Sequence, residues 1–219
     1  MKKILIILVL LILVLSSIGC DDVDLLNDNN SKQTSFAPTN TTTTSISPVN
    51  TKPKEVIKEE LIASYKMILP NEPGTFNAGI AATYLNNHVI KSGEIFSFNK
   101  VVGERTPDKG YVKGSLPYRD TQGNIVMSKE YGSGVCRASD LAATLFIKAG
   151  LQLVEMNQHD IRPGYFDMNP GLADATVYWD QNLDNRFKNN KDYDVKIKMW
   201  LNKMDSKLYG ELYRLTYSD

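Results

Sequence analysis

Apolar and polar residues alternate with two different periods along this chain, and both follow a polar segment that has neither. Leu61, Ala63, Tyr65 and Met67 alternate with polar neighbours, so Glu60–Leu69 reads as a strand with one buried face. Asn77–Asn86 reads as a short helix, with Ile80, Ala81 and Tyr84 on one side. Lys91–Glu94 is a turn leading into the short apolar run Ile95–Phe98. From Val101 to Lys129 the pattern breaks into a glycine- and proline-punctuated stretch, which predicts loop. Beyond Gly132-Ser133-Gly134 the period changes: Ala138, Leu141, Ala142, Leu145, Phe146 and Ala149 form one stripe of a 3.6-residue helix. Gly150 is placed to end it. The remainder is strand-like over Leu151–Met156, Ala175–Trp179, Val195–Leu201 and Leu208–Thr216, with turns at Asn189-Asn190 and around Asp205. The predicted class is α+β, a mostly antiparallel sheet with a few helices, and a cysteine at the N-terminus of the main helix.

The first 54 residues read differently. Lys2 and Lys3 precede the apolar run Ile4–Leu15, and Ser16-Ser17-Ile18-Gly19-Cys20 closes it with small residues before a cysteine. A run this short falls below the roughly 20 residues of a transmembrane helix and has the order of an export signal. Residues 1–19 are therefore expected to be a lipoprotein signal peptide, with Cys20 the lipidated residue that anchors the chain to membrane lipid. Two acyl chains on that cysteine suffice for stable attachment. Residues 20–54, rich in Asn, Ser, Thr and Pro, cannot bury enough apolar surface to offset their ordering entropy and should form a disordered tether. The folded domain is expected over 55–219.

Charge excludes some partners. Lys+Arg and Asp+Glu are equal at 25 each, so nucleic acid is not an expected partner. With two cysteines and two histidines in the chain, and Cys20 lipidated, a disulfide framework and a structural zinc site are both excluded. No metal and no cofactor are expected.

Cys136 is then a lone thiol at the first turn of the main helix, behind a Gly-Ser-Gly loop. A helix N-terminus carries partial positive charge and lowers a thiol's pKa toward the nucleophilic thiolate. Gly132, Ser133, Gly134 and Arg137 make up a candidate oxyanion or substrate loop, its glycines letting a substrate carbonyl approach backbone amides. Position alone equally allows a packed thiol, because Ala143 and Ile147 lie on the same line of the helix. A thiol nucleophile needs a base and an orienting group. His159 follows a predicted strand and is the candidate base; Asp160, Asp167 and Asp174 are candidates for the third group. Asp174 opens the predicted strand Ala175–Trp179, a rigid place from which to aim a carboxylate. His88, beside Asn86-Asn87, reads as a surface residue.

These segments together resemble the VanW-like family, associated with glycopeptide-resistance gene clusters. The resemblance runs from about Ser92 to Asn190. It rests on Gly93-Glu94, Phe96-Ser97-Phe98-Asn99, Val102-Gly103 with Arg105-Thr106, Lys109-Gly110-Tyr111, Gly132 and Gly134-Val135-Cys136. His159, Asp174-Ala175-Thr176-Val177 and Arg186-Phe187-Lys188-Asn189 complete it. Ser133, Arg137 and the added residue at Leu172-Ala173 depart from the family pattern. The resemblance implies an exported protein on the outer face of a bacterial plasma membrane. The order cysteine, histidine, aspartate is also similar to that of transglutaminase-like and papain-like enzymes. The expectation is a cysteine-dependent acyl transferase or hydrolase acting on peptidoglycan peptides, with Cys136, His159 and Asp174 as nucleophile, base and orienter. The alternative is a non-catalytic envelope module binding cell-wall peptide, glycan or glycopeptide in a groove lined by Tyr111, Tyr118, Tyr131, Tyr165 and Trp179. A redox or sensor thiol is a third reading.

Overall fold

The computed structural model describes residues 54–218. The signal at 1–19, Cys20 and nearly all of the tether lie outside the described residues.

The alternating segment around Leu61 belongs to a long strand, β1 (Val56–Ile68). It pairs antiparallel with the C-terminal strand β9 (Lys207–Tyr217), which pairs with β8 (Val195–Asn202), and β8 with the short β2 (His88–Ile90). A second antiparallel sheet joins β3 (Ile95–Ser97), β7 (Arg186–Lys188) and β6 (Gln152–Glu155) in the order β3-β7-β6. The described helices are α1 (Pro73–Leu85), α2 (Phe98–Val102) and α3 (Cys136–Lys148). The class is α+β, as the periodicities require.

The sheets are placed by α3. Val195, Ile197 and Met199 turn one face of β8 inward, and Leu208, Gly210 and Leu212 do the same on β9. A Cβ at Gly210 would stand 2.9 Å from Leu145 Cδ1 and 3.0 Å from Leu141 Cγ. Only glycine lets the helix settle this low on the strand. On its other side Phe146 meets Phe96 edge-on at 4.9 Å and Phe187 at 5.4 Å, which ties α3 to the second sheet. Every residue from Arg137 to Phe146 is consequently buried. The helix ends as Gly150 predicts. That residue has φ +69, its N–H reaches the Ile147 carbonyl, and the Leu151 N–H reaches Phe146, a Schellman closure.

Two expectations fail for physical reasons. The segment Val101–Lys129, expected as loop, contains most of a hairpin, β4 (Lys113–Arg119) paired with β5 (Ile125–Tyr131). Its strands are mostly exposed, with Ile125 and Met127 facing solvent, so no buried face marks the sequence. Conversely, Ala175–Trp179 alternates as a strand should but forms only isolated bridges, Thr176 with Asn157 and Tyr178 with Leu183. Its Ala175 N–H bonds to the Asp140 side chain at 2.7 Å instead of a neighbouring strand.

Candidate active site

Cys136 is the first residue of α3, and a tightly threaded loop delivers it there. Gly134 has φ +93, and a Cβ on it would lie 2.4 Å from Gly74 Cα and 2.4 Å from Gly74 O at the start of α1. A Cβ at Gly132 would lie 2.4 Å from Arg105 Cβ. The space that side chains would take at these glycines is filled by the protein's own backbone and by Arg105, while Gly132, Ser133, Gly134 and Arg137 all line the cleft described below. Buried Asn77 fixes the loop from α1, donating to the Ser133 carbonyl at 2.9 Å and the Val112 carbonyl at 2.8 Å. The Ser133 hydroxyl donates to Ser115 O at 2.5 Å, tying the loop to the hairpin. The amides of Gly132, Ser133, Val135 and Arg137 all donate to backbone carbonyls. The Cys136 amide has no acceptor among the described residues, and no side chain caps this helix end.

The half-buried Cys136 Sγ lies 3.5 Å from Thr176 Oγ1 and 3.5 Å from the Val177 carbonyl. His159 faces it. The His159 ring presents Nδ1 to Asp174 Oδ1 at 2.5 Å, and the same oxygen accepts the His159 backbone N–H at 3.1 Å. That double hold leaves Nε2 as the ring nitrogen for the thiol. Burial pushes the Cys136 pKa up, but hydrogen bonding and charge from His159 outweigh it and leave the thiol below its ordinary value. Burial likewise pushes His159 down, while Cys136, Asp140 and Asp174 together raise it to about 9. Each group thus favours the charged form of the other, which shifts the pair toward thiolate and imidazolium.

Asp174 is aimed by α3, and the sequence did not disclose how. One turn below Cys136, the buried Asp140 accepts from Ala175 N–H at 2.7 Å and from the Tyr165 hydroxyl at 2.6 Å. A further turn on, Thr144 Oγ1 accepts from Ala173 N–H at 2.9 Å. The residues flanking Asp174 are therefore pinned to the helix that carries Cys136, and the added residue at Leu172-Ala173 is absorbed before the pins. Burial raises the Asp140 carboxyl to about 7, against the pull of the His159 charge and its two donors.

The other sequence candidates go elsewhere. Asp160 pairs with Arg119 of β4 at 3.1 Å, and Asp167 lies 3.8 Å from Arg162, both exposed. His88 sits on β2 against Phe96, its pKa lowered by burial. Arg137 is buried, with its guanidinium committed to α1 through Glu72 and Thr75 and stacked over Tyr165. It staples α1 to α3 rather than serving as an oxyanion donor. Ligand atoms of Asp140, His159 and Asp174 lie within 4.8 Å of one another, a spacing that suits a metal ion. Both Asp140 oxygens already accept hydrogen bonds and Asp174 Oδ1 holds two, so an ion would have to displace that network.

Cys136 and His159 open on a cleft of about 600 Å³ between the α3 loop and the β4–β5 hairpin, ordinary for a ligand site. Tyr118, Tyr131, Tyr165 and Trp179 line it. Tyr111 does not. It is buried in the core, where loss of water drives its phenol well above the usual range.

Cys136, Asp140, His159 and Asp174 fall within the span 74–213 that matches the family model "VanW like protein". The chain is 34% identical over 128 residues to the uncharacterized protein YoaR of Bacillus subtilis (strain 168), covering 58% of this chain and 39% of that one. It is 28% identical over 148 residues to the vancomycin B-type resistance protein VanW of Enterococcus faecalis (strain ATCC 700802 / V583), covering 65% of this chain and 50% of that one. The matches thus span half or less of the length of these curated relatives. No solved structure matches. A family match over most of the described fold, taking in the thiol, the histidine and both carboxylates, makes this chain a member of the VanW-like family.

Proposed function

We propose that this VanW-like protein is a cell-envelope lipoprotein whose domain acts as a cysteine-dependent acyl transferase or hydrolase on peptidoglycan peptides. In this reading the chain is exported and held by Cys20 on the outer face of a bacterial plasma membrane. The observation that carries the catalytic part is the His159–Asp174 contact at 2.5 Å, with the ring turned to a thiol whose pKa it lowers at the base of a cleft. The envelope part is supported by family membership and by the vancomycin-resistance name of the Enterococcus relative.

The chemistry follows from the groups present. The Cys136 thiolate attacks a peptide carbonyl carbon, and the Gly134 and Cys136 amide N–H groups, which no acceptor among the described residues claims, are the candidate donors to the developing oxyanion. His159 Nε2 gives its proton to the departing amine as the C–N bond breaks, leaving a thioester. An attacking amine or water then loses a proton to His159 and takes the acyl group as the C–S bond breaks, regenerating the thiolate and the imidazolium. Asp174 holds the tautomer throughout and compensates the imidazolium charge.

A pH series of iodoacetamide labelling tests this on the full-length chain carrying Cys20→Ser, in which Cys136 is the remaining thiol. With His159 in place, labelling should become fast at a lower pH than an ordinary thiol requires. His159→Ala should slow it about tenfold or more near neutral pH, one pKa unit being a factor of ten in thiolate. Asp174→Asn should act in the same direction and less. Labelling only after denaturation, or labelling indifferent to His159, removes the enzyme reading; the second outcome favours a binding module using the aromatic cleft.

A further inference from the structure

Arg105 stands on the cleft wall with Cys136, its stem against Gly132 of the loop that leads to the thiol. Its guanidinium lies between the rings of Phe98 and Trp179, 5.7 Å and 5.8 Å from their centroids. Nη2 donates to Asn99 Oδ1 at 2.6 Å. Asn99 is itself fixed, donating its side-chain amide to Leu183 O at 2.8 Å and its N–H to Asp184 Oδ1 at 2.9 Å. The two ring contacts and the Asn99 relay restrain the guanidinium.

What it lacks is a direct ion pair. Among the described residues no carboxylate lies within ion-pair distance of the partly buried Arg105, on which Asp184 and Asp180 act only at longer range, whereas the more deeply buried Arg137 is paired with Glu72. Nη1 of Arg105 is buried and has no hydrogen-bond partner among the described residues. A buried, unpaired charge is costly, and an orphaned donor adds its own desolvation penalty. A fold that aligns such a group beside a nucleophile is prepared for an anion from outside. A planar guanidinium held on edge recognises a carboxylate through charge-assisted hydrogen bonds.

We propose that Arg105 binds a carboxylate of the substrate next to the carbonyl that Cys136 attacks, so that the substrate class is a peptide with a free carboxylate beside its scissile bond. This deepens the enzyme reading and rests on Cys136 being its nucleophile. The carboxylate is either the peptide's C-terminus or an internal one on a side branch.

Iodoacetate and iodoacetamide carry the same electrophilic carbon and differ by one carboxylate, so their rate ratio at Cys136 reads the pocket directly. In the full-length Cys20→Ser chain the iodoacetate-to-iodoacetamide ratio should be about tenfold to a hundredfold higher than in the same chain unfolded in urea. That range is what one charge-assisted hydrogen bond supplies. Arg105→Gln should abolish the preference, read as the iodoacetate-to-iodoacetamide ratio within each variant so that any change in thiol reactivity common to both reagents cancels, and Arg105→Lys should keep part of it. A folded wild-type ratio equal to the unfolded one overturns the proposal, as does a ratio unmoved by a folded Arg105→Gln. If that variant does not fold, the folded-to-unfolded comparison of the wild type decides. A thiol inert to both reagents sinks the nucleophile reading instead. The pocket is then judged by calorimetry with acetyl-D-alanyl-D-alanine, its C-terminal amide, a C-terminally amidated γ-D-glutamyl peptide and inorganic phosphate. Binding of the free acid alone assigns a terminal carboxylate, and binding of the glutamyl peptide assigns an internal one. Preference for phosphate, or no binding by any of these, overturns the proposal.

Discussion

Replacing Asp140 with asparagine changes the charge at the centre of this site while nearly preserving its shape. The amide oxygen of the substituted side chain would still accept from Ala175 N–H, and the Tyr165 hydroxyl would turn to accept from the new amide nitrogen. Burial raises the Asp140 carboxyl to about 7, from an ordinary value of about 3.9. The sign follows from proton counting. Between these two values the native chain holds a proton that the unfolded chain has lost, so stability falls as pH rises from about 4 to about 7. Three units correspond to about 4 kcal/mol, and coupling to His159 reduces the share seen at this residue to roughly 2–4 kcal/mol. Asp140→Asn has no such titration. Near pH 4 the variant should match or fall slightly below the wild type; by pH 8 it should have gained roughly 2–4 kcal/mol relative to it. Urea unfolding at pH 4, 6 and 8, with m-values compared at each, measures the difference. A difference that stays constant with pH would refute the reasoning, because it would mean that the carboxyl titrates alike folded and unfolded. Labelling of Cys136 should respond too. The Asp140 charge holds the thiol's pKa up, so Asp140→Asn should move the alkylation midpoint to lower pH.

Two further outcomes are expected. Gly134→Ala forces a side chain into φ +93 and against the Gly74 backbone, which cannot swing aside. It should cost about 2–3 kcal/mol, or roughly 5–10 °C in a thermal melt of a domain this size, and an unchanged melt would show that the crossing is looser than described. Cys20→Ala should abolish fatty-acid labelling in cells and alter the mobility of the chain, and equal labelling would rule out the lipoprotein reading.

The sequence revealed whatever repeats along an element. The stripe from Ala138 to Ala149 located α3, and the alternation in β1, β8 and β9 located the main sheet, because each has one face on a common core. It revealed Cys136, His159 and Asp174 because catalytic residue types in that order resemble a known family. Asp140 escaped because it falls on a face of α3 that periodicity assigns to a lesser apolar line. Tyr165 and the segment that carries Ala175 cover that face, and no single-element pattern reports what another element does. Arg105 sits between α2 and the hairpin, in a stretch with no period at all, and its meaning lies in a missing ion partner that only three dimensions disclose. Asp160 and Asp167 were reasonable candidates by proximity in sequence. Their carboxylates turn instead to arginines at the surface.

Because Asp140 and Thr144 grip the backbone on either side of Asp174, chain length between His159 and Asp174 has little authority over where the carboxylate lands. Residues 161–172 make an excursion whose start is held by the Asn157–Thr176 bridge and whose end is held by α3. Changes of length there that leave Tyr165, Phe166 and Asn169 in their buried places should be tolerated without moving Asp174. A deletion of one residue within α3 between Cys136 and Thr144 is another matter: it turns the pins by about 100° relative to the thiol. The length of this helix segment fixes the spacing between the thiol and the groups that hold Asp174.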